Sequence, residues 1–330
     1  MMISELKSQA RREPVEAEVV VQLVQTQERE TRDGKPFLTV EFADLSGTIN
    51  LQAWSSHPQF DMLQTLKVQT VVHLIGVFQS GNFGVESRQW TVKLAEAETR
   101  NAFFSRQHSE HRSMLQEMQT MVQSWQSEPL KTVALLFLDE FSSRLLRTGA
   151  ARYYHHARRG GLIEHTLQMM RHAQALSSVE PRVDGELLMA GALFHDVGKM
   201  WENVYNEESL EMPYLAPGEL LGHIILGIEL VNRLWRRCNP PDEQEAEARK
   251  KNEELRLHLL HLIASHHGEL QFGSPVVPKT PEAFALHSID ALDAQLEMTA
   301  QAFAESRELG ENIVERYRPL PGNLVRRSTN

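Results

Sequence analysis

The spacing of apolar residues changes once along this chain, near residue 100, and this change restricts the possible folds more than any other feature. From about residue 15 to 95 apolar and polar residues alternate and β-branched residues are frequent, a pattern of period two that predicts half-buried strands. Beyond residue 100 apolar residues recur every three to four positions, as they do on one face of a helix. We therefore predict a multidomain chain in which a β domain precedes an all-α domain.

The β region contains five predicted strands, which are separated by turns rich in Gly, Pro, Asp, Asn and Ser, the residues that favour tight turns. Five short strands within roughly 80 residues suit a small five-stranded OB-like barrel, an architecture whose second and third strands commonly face nucleic acid. The predicted strands cover residues 15–26, 37–44, 48–54, 68–78 and 83–94.

Two aromatic residues, Phe37 and Trp54, belong to the polar faces of the second and third predicted strands. Because side chains alternate between the two faces of a strand, aliphatic residues that fill the barrel leave these two rings outside. An exposed ring can stack on an unpaired base, which makes Phe37 and Trp54 candidate substrate contacts. The alternative is that both rings pack against another part of the chain.

The predicted boundaries follow from these patterns and from changes in composition. The charged stretch 242–255 is interpreted as a solvated helix face or an exposed insertion, and the end of the chain as loosely ordered. The expected segments are an N-terminal extension (1–14), the OB-like domain (15–97), a connecting helix (98–128), the helical domain (129–310) and a C-terminal tail (311–330).

Charge and cysteine content exclude several classes of function. Acidic residues (44) outnumber basic ones (34), giving a formal charge of −10, so binding of a polyanion requires a local basic patch. The single cysteine, Cys238, excludes an intramolecular disulfide and fits a reducing compartment. The first residues lack a signal-peptide core, and the longest wholly apolar run, 133–138, is too short to cross a bilayer. We expect a cytoplasmic protein without a membrane partner.

Most of the fifteen histidines lie between residues 155 and 287. The strongest local signal is the pair His195-Asp196 at the end of the apolar segment 187–194, because two buried polar groups are costly unless they are paired or bind a metal. Other helical segments carry further candidates, and packing of these helices would bring the side chains to one point. These candidates are His165, His223, His266, His267 and Asp290.

Mixed His and Asp ligation without cysteine suits Mn²⁺, Fe²⁺, Zn²⁺ or another borderline divalent ion. One ion could be held by His165, His195, Asp196 and Asp290, and a second by His223 and His266, with His267 as an optional third ligand and Asp196 as the bridge. Two adjacent ions would activate a water and stabilise the attacking and leaving oxygens of a phosphoester. Taken alone, each histidine is more simply a hydrogen-bonded core or surface residue.

A basic segment precedes the helix that carries His165. Residues 141–163 contain no acidic residue but several arginines and two histidines, which predicts a positive surface that attracts phosphates. The alternative to this positive surface is that the arginines form ion pairs with acidic residues elsewhere in the chain. The basic residues are Arg144, Arg147, Arg152, Arg158, Arg159, His155 and His156, of which the last four are candidate substrate contacts.

The order His165, His195-Asp196, Asp290 resembles that of the HD superfamily of metal-dependent phosphohydrolases, and residues 195–199 (HDVGK) resemble its signature segment. More narrowly, an OB-like barrel followed by such a domain is similar to the YhaM family of 3′→5′ exoribonucleases over about residues 15–305. The segments that carry this similarity are 154–157, 160–162, 220–224, 265–268 and 273–275.

The resemblance implies an OB-like nucleic-acid-binding domain and an HD-type helical bundle that removes nucleotides from a 3′ end with a divalent ion, typically Mn²⁺, with Fe²⁺, Co²⁺ or Zn²⁺ as alternatives. The expected partner is single-stranded RNA or DNA, and the family does not decide between them. His195, Asp196 and Lys199 are then catalytic, with His267 near the substrate. The implied metal ligands are His165, His195, Asp196, His223, His266 and Asp290.

Two other functions are compatible with the same sequence. An HD phosphohydrolase could act on a nucleotide or a cyclic dinucleotide, with the barrel as a regulatory module. Alternatively, the chain could bind single-stranded nucleic acid and use its metal only for structure. A homo-oligomer is compatible with each of these functions.

Overall fold

The computed structural model describes residues 1–31, 33–81, 84–152, 156–207, 209–240 and 245–327. The chain divides into two compact units. The barrel unit comprises residues 1–107, 206–211 and 298–330, and the helical unit comprises residues 108–205 and 212–297.

The barrel unit is built on a five-stranded antiparallel sheet in the order β3-β2-β1-β4-β5. The indole N–H of Trp90 in β5 donates to the carbonyl of Gln52 in β3 at 3.3 Å, so the two outer strands meet and the sheet is barrel-like. This confirms the predicted five-stranded OB-like architecture. The strands are β1 (Val15–Glu30), β2 (Pro36–Asp44), β3 (Gly47–Trp54), β4 (Val71–Gly81) and β5 (Gly84–Leu94).

Alternating apolar residues of the strands form the core of this sheet, because every second side chain points inward. In β2 these are Leu38, Val40 and Phe42, all fully buried. Two short helices add to the same core, α1 (Ile3–Ala10) and α2 (Phe60–Thr65). Helix α1 was expected only as an extension, and it is held by the Ile3 N–H, which donates to Asp44 at 2.6 Å.

Seven helices follow the barrel strands in the described residues. Phe137 of α4, Trp235 of α7 and Trp125, which lies between α3 and α4, are large buried side chains of one apolar core. The α6 residues Leu187 to Phe194 are all buried, as expected of a helix without a polar face. The helices are α3 (Ala97–Gln123), α4 (Glu128–Leu145), α5 (Gly161–Val179), α6 (Gly185–Phe194), α7 (Ala216–Cys238), α8 (Ala246–Ser265) and α9 (Pro281–Glu305).

The end of the chain differs from the expected loose tail. Strands β6 (Glu308–Gly310), β7 (Ile313–Val314) and β8 (Leu324–Val325) form a small antiparallel sheet in the barrel unit. Burial of Val314 and Leu320 provides the apolar contacts that order such a segment. Residues 245–250 of the charged stretch are exposed, and residues 242–244 lie outside the described residues. No described helix combines the length and the apolar character needed to cross a membrane.

Candidate metal centre

Five helices of the helical unit bring the predicted ligands to one place. His165 lies in the first turns of α5, and His195-Asp196 directly follow the buried helix α6. His223 lies in α7 and His266 follows the last residue of α8, while Asp290 lies in the middle of α9. His165, His195, Asp196 and His266 are all buried, so water cannot satisfy their polar atoms.

The first ligand group consists of His165, His195 and Asp290. The Nε2 atoms of His165 and His195 lie 3.0 Å apart, and Nε2 of His165 lies 3.4 Å from Oδ1 of Asp290. Oδ2 of Asp196 is 3.3 Å from Nε2 of His195. One potential ligand atom from each of the three grouped residues therefore lies within 4.8 Å of the others, close enough to share one cation.

The second group consists of His223, His266 and His267, and Asp196 joins it to the first. Oδ1 of Asp196 lies 3.5 Å from Nε2 of His223 and 3.6 Å from Nε2 of His266. These three buried atoms have no hydrogen-bond partner in the described part of the chain. Leaving a buried polar atom unsatisfied costs about 1–3 kcal/mol, whereas two imidazoles and a carboxylate are good ligands for a divalent ion. The donor set therefore fits a metal.

The other ring nitrogen of each histidine is already held. Nδ1 of His165 lies 2.7 Å from a carboxylate oxygen of Asp293, and Nδ1 of His223 lies 3.3 Å from Glu202. A proton on Nδ1 leaves the Nε2 lone pair free, which is how metal-binding histidines are usually oriented. Backbone carbonyls hold the remaining three Nδ1 atoms: Ala192 holds His195, Ile263 holds His266 and Phe272 holds His267, at 2.7–2.9 Å.

Two glycines allow the elements of the site to approach one another. A Cβ atom on Gly198 would lie 1.9 Å from the carbonyl oxygen of His223, so the turn after His195-Asp196 packs on α7 only with glycine there. Gly222 has φ 71° and ψ 159° and interrupts α7 immediately before His223. This conformation is essentially restricted to glycine, and it places His223 beside Asp196.

Burial and charge hold His266, His267 and Asp196 in forms that bind metals. Burial lowers the pKa of His266 to about 4 and also lowers the pKa of His267, which keeps both imidazoles neutral. Burial would raise the pKa of Asp196, but the Lys199 ammonium, 2.6 Å away, and His195 hold this pKa well below its usual value. Asp196 is therefore an anion at neutral pH.

His267 lies beside His223 and His266 in the second ligand group. Successive residues of one helix point about 100° apart, and His267 was therefore expected to contact substrate. Helix α8 ends at Ser265, so this rule does not apply to His266 and His267. The rings of His223 and His267 have centroids 5.2 Å apart, and His267 is a candidate ligand as well as a candidate substrate contact.

A buried polar network behind His165 was not assigned from the sequence. Asp293, which binds Nδ1 of His165, lies 3.4 Å from Nε2 of His156. Glu164 in turn lies 3.3 Å from His156 and 3.0 Å from His111. Burial lowers the pKa of His156, but hydrogen bonds to Asp293 and Glu164 raise it to about 9. Asp293 is three residues from Asp290, a spacing that places both on one helix face and could have identified it.

The arginines of the basic segment are engaged in contacts within the chain. Arg158 forms ion pairs with Glu164 and Glu297, Arg152 donates to the carbonyl of Glu202, and Arg159 is buried. Arg144 and Arg147 likewise donate to backbone carbonyls. These contacts favour the alternative in which the arginines have structural partners. His155 lies outside the described residues, and His156 is buried in the network behind His165.

In the barrel unit, Phe37 and Trp54 are directly opposite each other in the β2–β3 register. Their ring centroids are 4.9 Å apart, with the ring planes inclined by 34°. Trp54 is 48% exposed and Phe37 is half-buried, so the pair stands on the outer face of the sheet.

Residues 162–295 match the family model described as the HD domain. The match begins in α5 and continues into α9, and it includes both ligand groups and Asp196. An HD domain is a metal-dependent phosphohydrolase domain, so the helical unit has the corresponding activity.

Proposed function

We propose that this HD-domain protein is a 3′→5′ exonuclease that hydrolyses single-stranded nucleic acid, with RNA as its substrate, and releases nucleoside 5′-monophosphates. The observation that carries the proposal is the position of Asp196 between two groups of histidine ligands. Two ligand groups joined by one carboxylate are typical of sites that bind two ions and cleave phosphodiesters. An OB-like barrel on the same chain favours an oligonucleotide over a small phosphate ester.

His165, His195 and Asp290 would hold one ion, and His223 and His266, with His267, would hold the other, with Asp196 between them. When bound, divalent ions polarise phosphoryl oxygens and make a water more acidic. The mixture of imidazole and carboxylate suits borderline ions, among which we propose Mn²⁺.

The partly exposed side of the centre is where a phosphodiester would approach. The side chains of His195 and Asp196 are almost fully buried in the metal centre. Those of His223, Asp290 and Lys199 are 15%, 21% and 14% exposed. The ammonium of Lys199 would offset the negative charge of the phosphate while it fixes the Asp196 carboxylate. The chain needs no serine or cysteine nucleophile. Burial raises the pKa of the Cys238 thiol, which keeps it protonated.

The outward-facing rings of Phe37 and Trp54 support a single-stranded substrate. Rings on an open sheet face can stack on successive unpaired bases, and this interaction tolerates any sequence. A duplex keeps its bases stacked on each other and offers no such contact. We therefore propose that the barrel binds the strand and that the HD domain cleaves at its 3′ end.

The decisive experiment uses a 5′-labelled single-stranded RNA, the matched DNA and a mononucleotide, each incubated with the full chain in Mn²⁺. Wild type should produce a ladder that shortens from the 3′ end, faster on RNA than on DNA. Asp196→Asn should abolish it, whereas His258→Ala, a histidine outside both ligand groups, should retain it. Intact oligonucleotides together with hydrolysis of the mononucleotide by the metal-loaded protein would contradict the proposal.

A further inference from the structure

The barrel unit contains a large polar cleft that neither the metal centre nor the aromatic pair includes. Its walls are α1, the β4–β5 hairpin, the last turn of α9 and the segment that carries β6 to β8. The cleft has a volume of about 1550 Å³. We call it the basic cleft, because its lining includes Lys7, Arg11, Arg12, Arg88, Arg307 and Arg326.

Cations outnumber carboxylates in the basic cleft, although the whole chain carries a formal charge of −10. Against six basic residues, the lining contains Glu86, Glu308 and Glu315. Among these three carboxylates, only Glu308 forms an ion pair within the described residues of the cleft, with Arg326 at 3.1 Å. The local potential is therefore positive, and such a concave surface concentrates anions.

Three of these arginines are available to a ligand. Arg12, Arg88 and Arg307 are exposed, and no carboxylate of the described residues lies within ion-pair distance of their guanidinium groups. They come from three separate segments: the turn after α1, strand β5 and the segment between α9 and β6. An exposed guanidinium presents a planar fork of donors that matches a phosphate group.

We propose that the basic cleft binds the sugar-phosphate backbone of single-stranded nucleic acid. The cleft and the aromatic pair lie at opposite ends of the strands. Phe37 and Trp54 pair where β2 begins and β3 ends, whereas Val15 pairs with Phe78 where β1 begins and β4 approaches the hairpin. A strand that contacts both ends is held by stacking at one and by phosphate contacts at the other. The inference adopts the substrate class of the proposed function and adds a binding surface for it.

The shape of the cleft favours nucleic acid over a lipid surface. A membrane is flat and binds through basic residues flanked by exposed apolar anchors. The basic cleft is concave, and its apolar side chains are the half-buried Val85 and Phe303 and the small, exposed Ala304. A flexible polyanion can enter such a cleft, whereas a bilayer contacts only its rim.

The test measures binding of a fluorescent single-stranded 20-mer RNA to the full chain in the Asp196→Asn background, which prevents cleavage. The cleft variant combines Arg12→Gln, Arg88→Gln and Arg307→Gln. The control variant removes three exposed cations outside the cleft, by Lys67→Gln, Lys93→Gln and Arg100→Gln. Affinity is recorded between about 0.05 and 0.5 M salt, and thermal unfolding is recorded for each protein.

The cleft variant should lower affinity by roughly 10- to 100-fold at 0.1 M salt and reduce the log–log salt slope by about 2, because each phosphate contact to a single strand contributes about 0.7 to that slope. The control variant should change both quantities far less. Equal affinity of the two variants would overturn the inference, as would loss of affinity accompanied by unfolding. Arginine-dependent binding to phosphatidylglycerol vesicles without RNA binding would also overturn it.

The two proposals fail in different ways. Cleavage by wild type with unchanged binding in the cleft variant would reject the basic cleft and leave the exonuclease proposal intact. Cleft-dependent binding without cleavage by wild type would reject the exonuclease proposal instead.

Discussion

The imidazole of His165 is fixed by Asp293, whose Oδ2 atom lies 2.7 Å from Nδ1 of the ring. This contact leaves Nε2 of His165 directed at His195 and Asp290. A carboxylate behind a histidine ligand fixes the ring and makes it a stronger donor to a metal. Asp293 is thus a positioning residue for the first ligand group.

Asp293→Ala should weaken binding of Mn²⁺ to the full chain by about 10- to 100-fold, because the imidazole loses its orientation and its anionic partner. Asp293→Asn should have a smaller effect, since its amide oxygen can still accept the Nδ1 hydrogen. Calorimetric titration measures the Mn²⁺ affinity of both variants. The control is Asp139→Asn, which changes an exposed residue of α4. Identical Mn²⁺ affinities for wild type and Asp293→Ala would show that this contact does not position a ligand.

Removal of metal should destabilise the helical unit, because an ion that binds only the folded chain stabilises it. The gain is about 2.7 kcal/mol when the free ion is present at 100 times its dissociation constant. Metal analysis of the Mn²⁺-loaded protein should find two ions per chain, one for each ligand group. His165→Ala and His266→Ala should each lose one ion. A chelator that leaves the melting temperature unchanged, or a loaded protein with no bound ion, would refute this prediction.

Much of the architecture could be predicted because it depends on local patterns. The alternation in β2 and β3 identified the buried faces that Leu38 and Val40 now occupy, and it placed Phe37 and Trp54 outside. The apolar run before His195 predicted a buried helix, which α6 confirms. Hydrophobic periodicity is a short-range signal, and it specifies these elements without knowledge of their neighbours.

The contacts between elements could not be predicted in the same way. Glu202 and Asp293 bind Nδ1 atoms of histidines that are 21 and 128 residues away in sequence. The spacing of Asp293 from Asp290 places it on the ligand face of its helix, but it does not show which histidine Asp293 binds, and nothing in the local sequence marks Glu202 as a partner. The position of His267 depended on where α8 ends, and helix ends are difficult to place from sequence. The arginines before α5 formed a basic run in sequence, yet folding gave them partners such as Glu297 and the carbonyl of Glu202.

The close approach of Gly198 to His223 leads to a further prediction. Gly198→Ala would place its Cβ 1.9 Å from the carbonyl oxygen of His223, which must separate the turn after His195-Asp196 from α7. The variant should lose Mn²⁺ affinity and melt at a lower temperature. The control is Gly227→Ala in α7, where the added Cβ would lie 3.5 Å or more from its neighbours, an ordinary contact distance. It should be neutral or stabilising by up to about 1 kcal/mol, since alanine favours helices. Equal Mn²⁺ affinity and stability for the two variants would contradict this account.

The final prediction concerns the exposed ring of Trp54. Stacking of one base on an aromatic side chain contributes about 1–3 kcal/mol, so Trp54→Ala should weaken binding of single-stranded RNA by roughly 5- to 150-fold. Because Trp54 is 48% exposed, the same substitution should change the free energy of unfolding by only about 0.5 kcal/mol.

Val77→Ala provides the control, since Val77 is also exposed but lies on β4, away from the pair. Phe37→Ala should weaken RNA binding less than additively when combined with Trp54→Ala, because the centroids of the two rings are only 4.9 Å apart and mutations of neighbouring residues are not additive. Fluorescence anisotropy in the Asp196→Asn background measures each affinity without cleavage. RNA binding that is insensitive to Trp54→Ala and Phe37→Ala would exclude the pair as a stacking surface and leave phosphate contacts as the source of affinity.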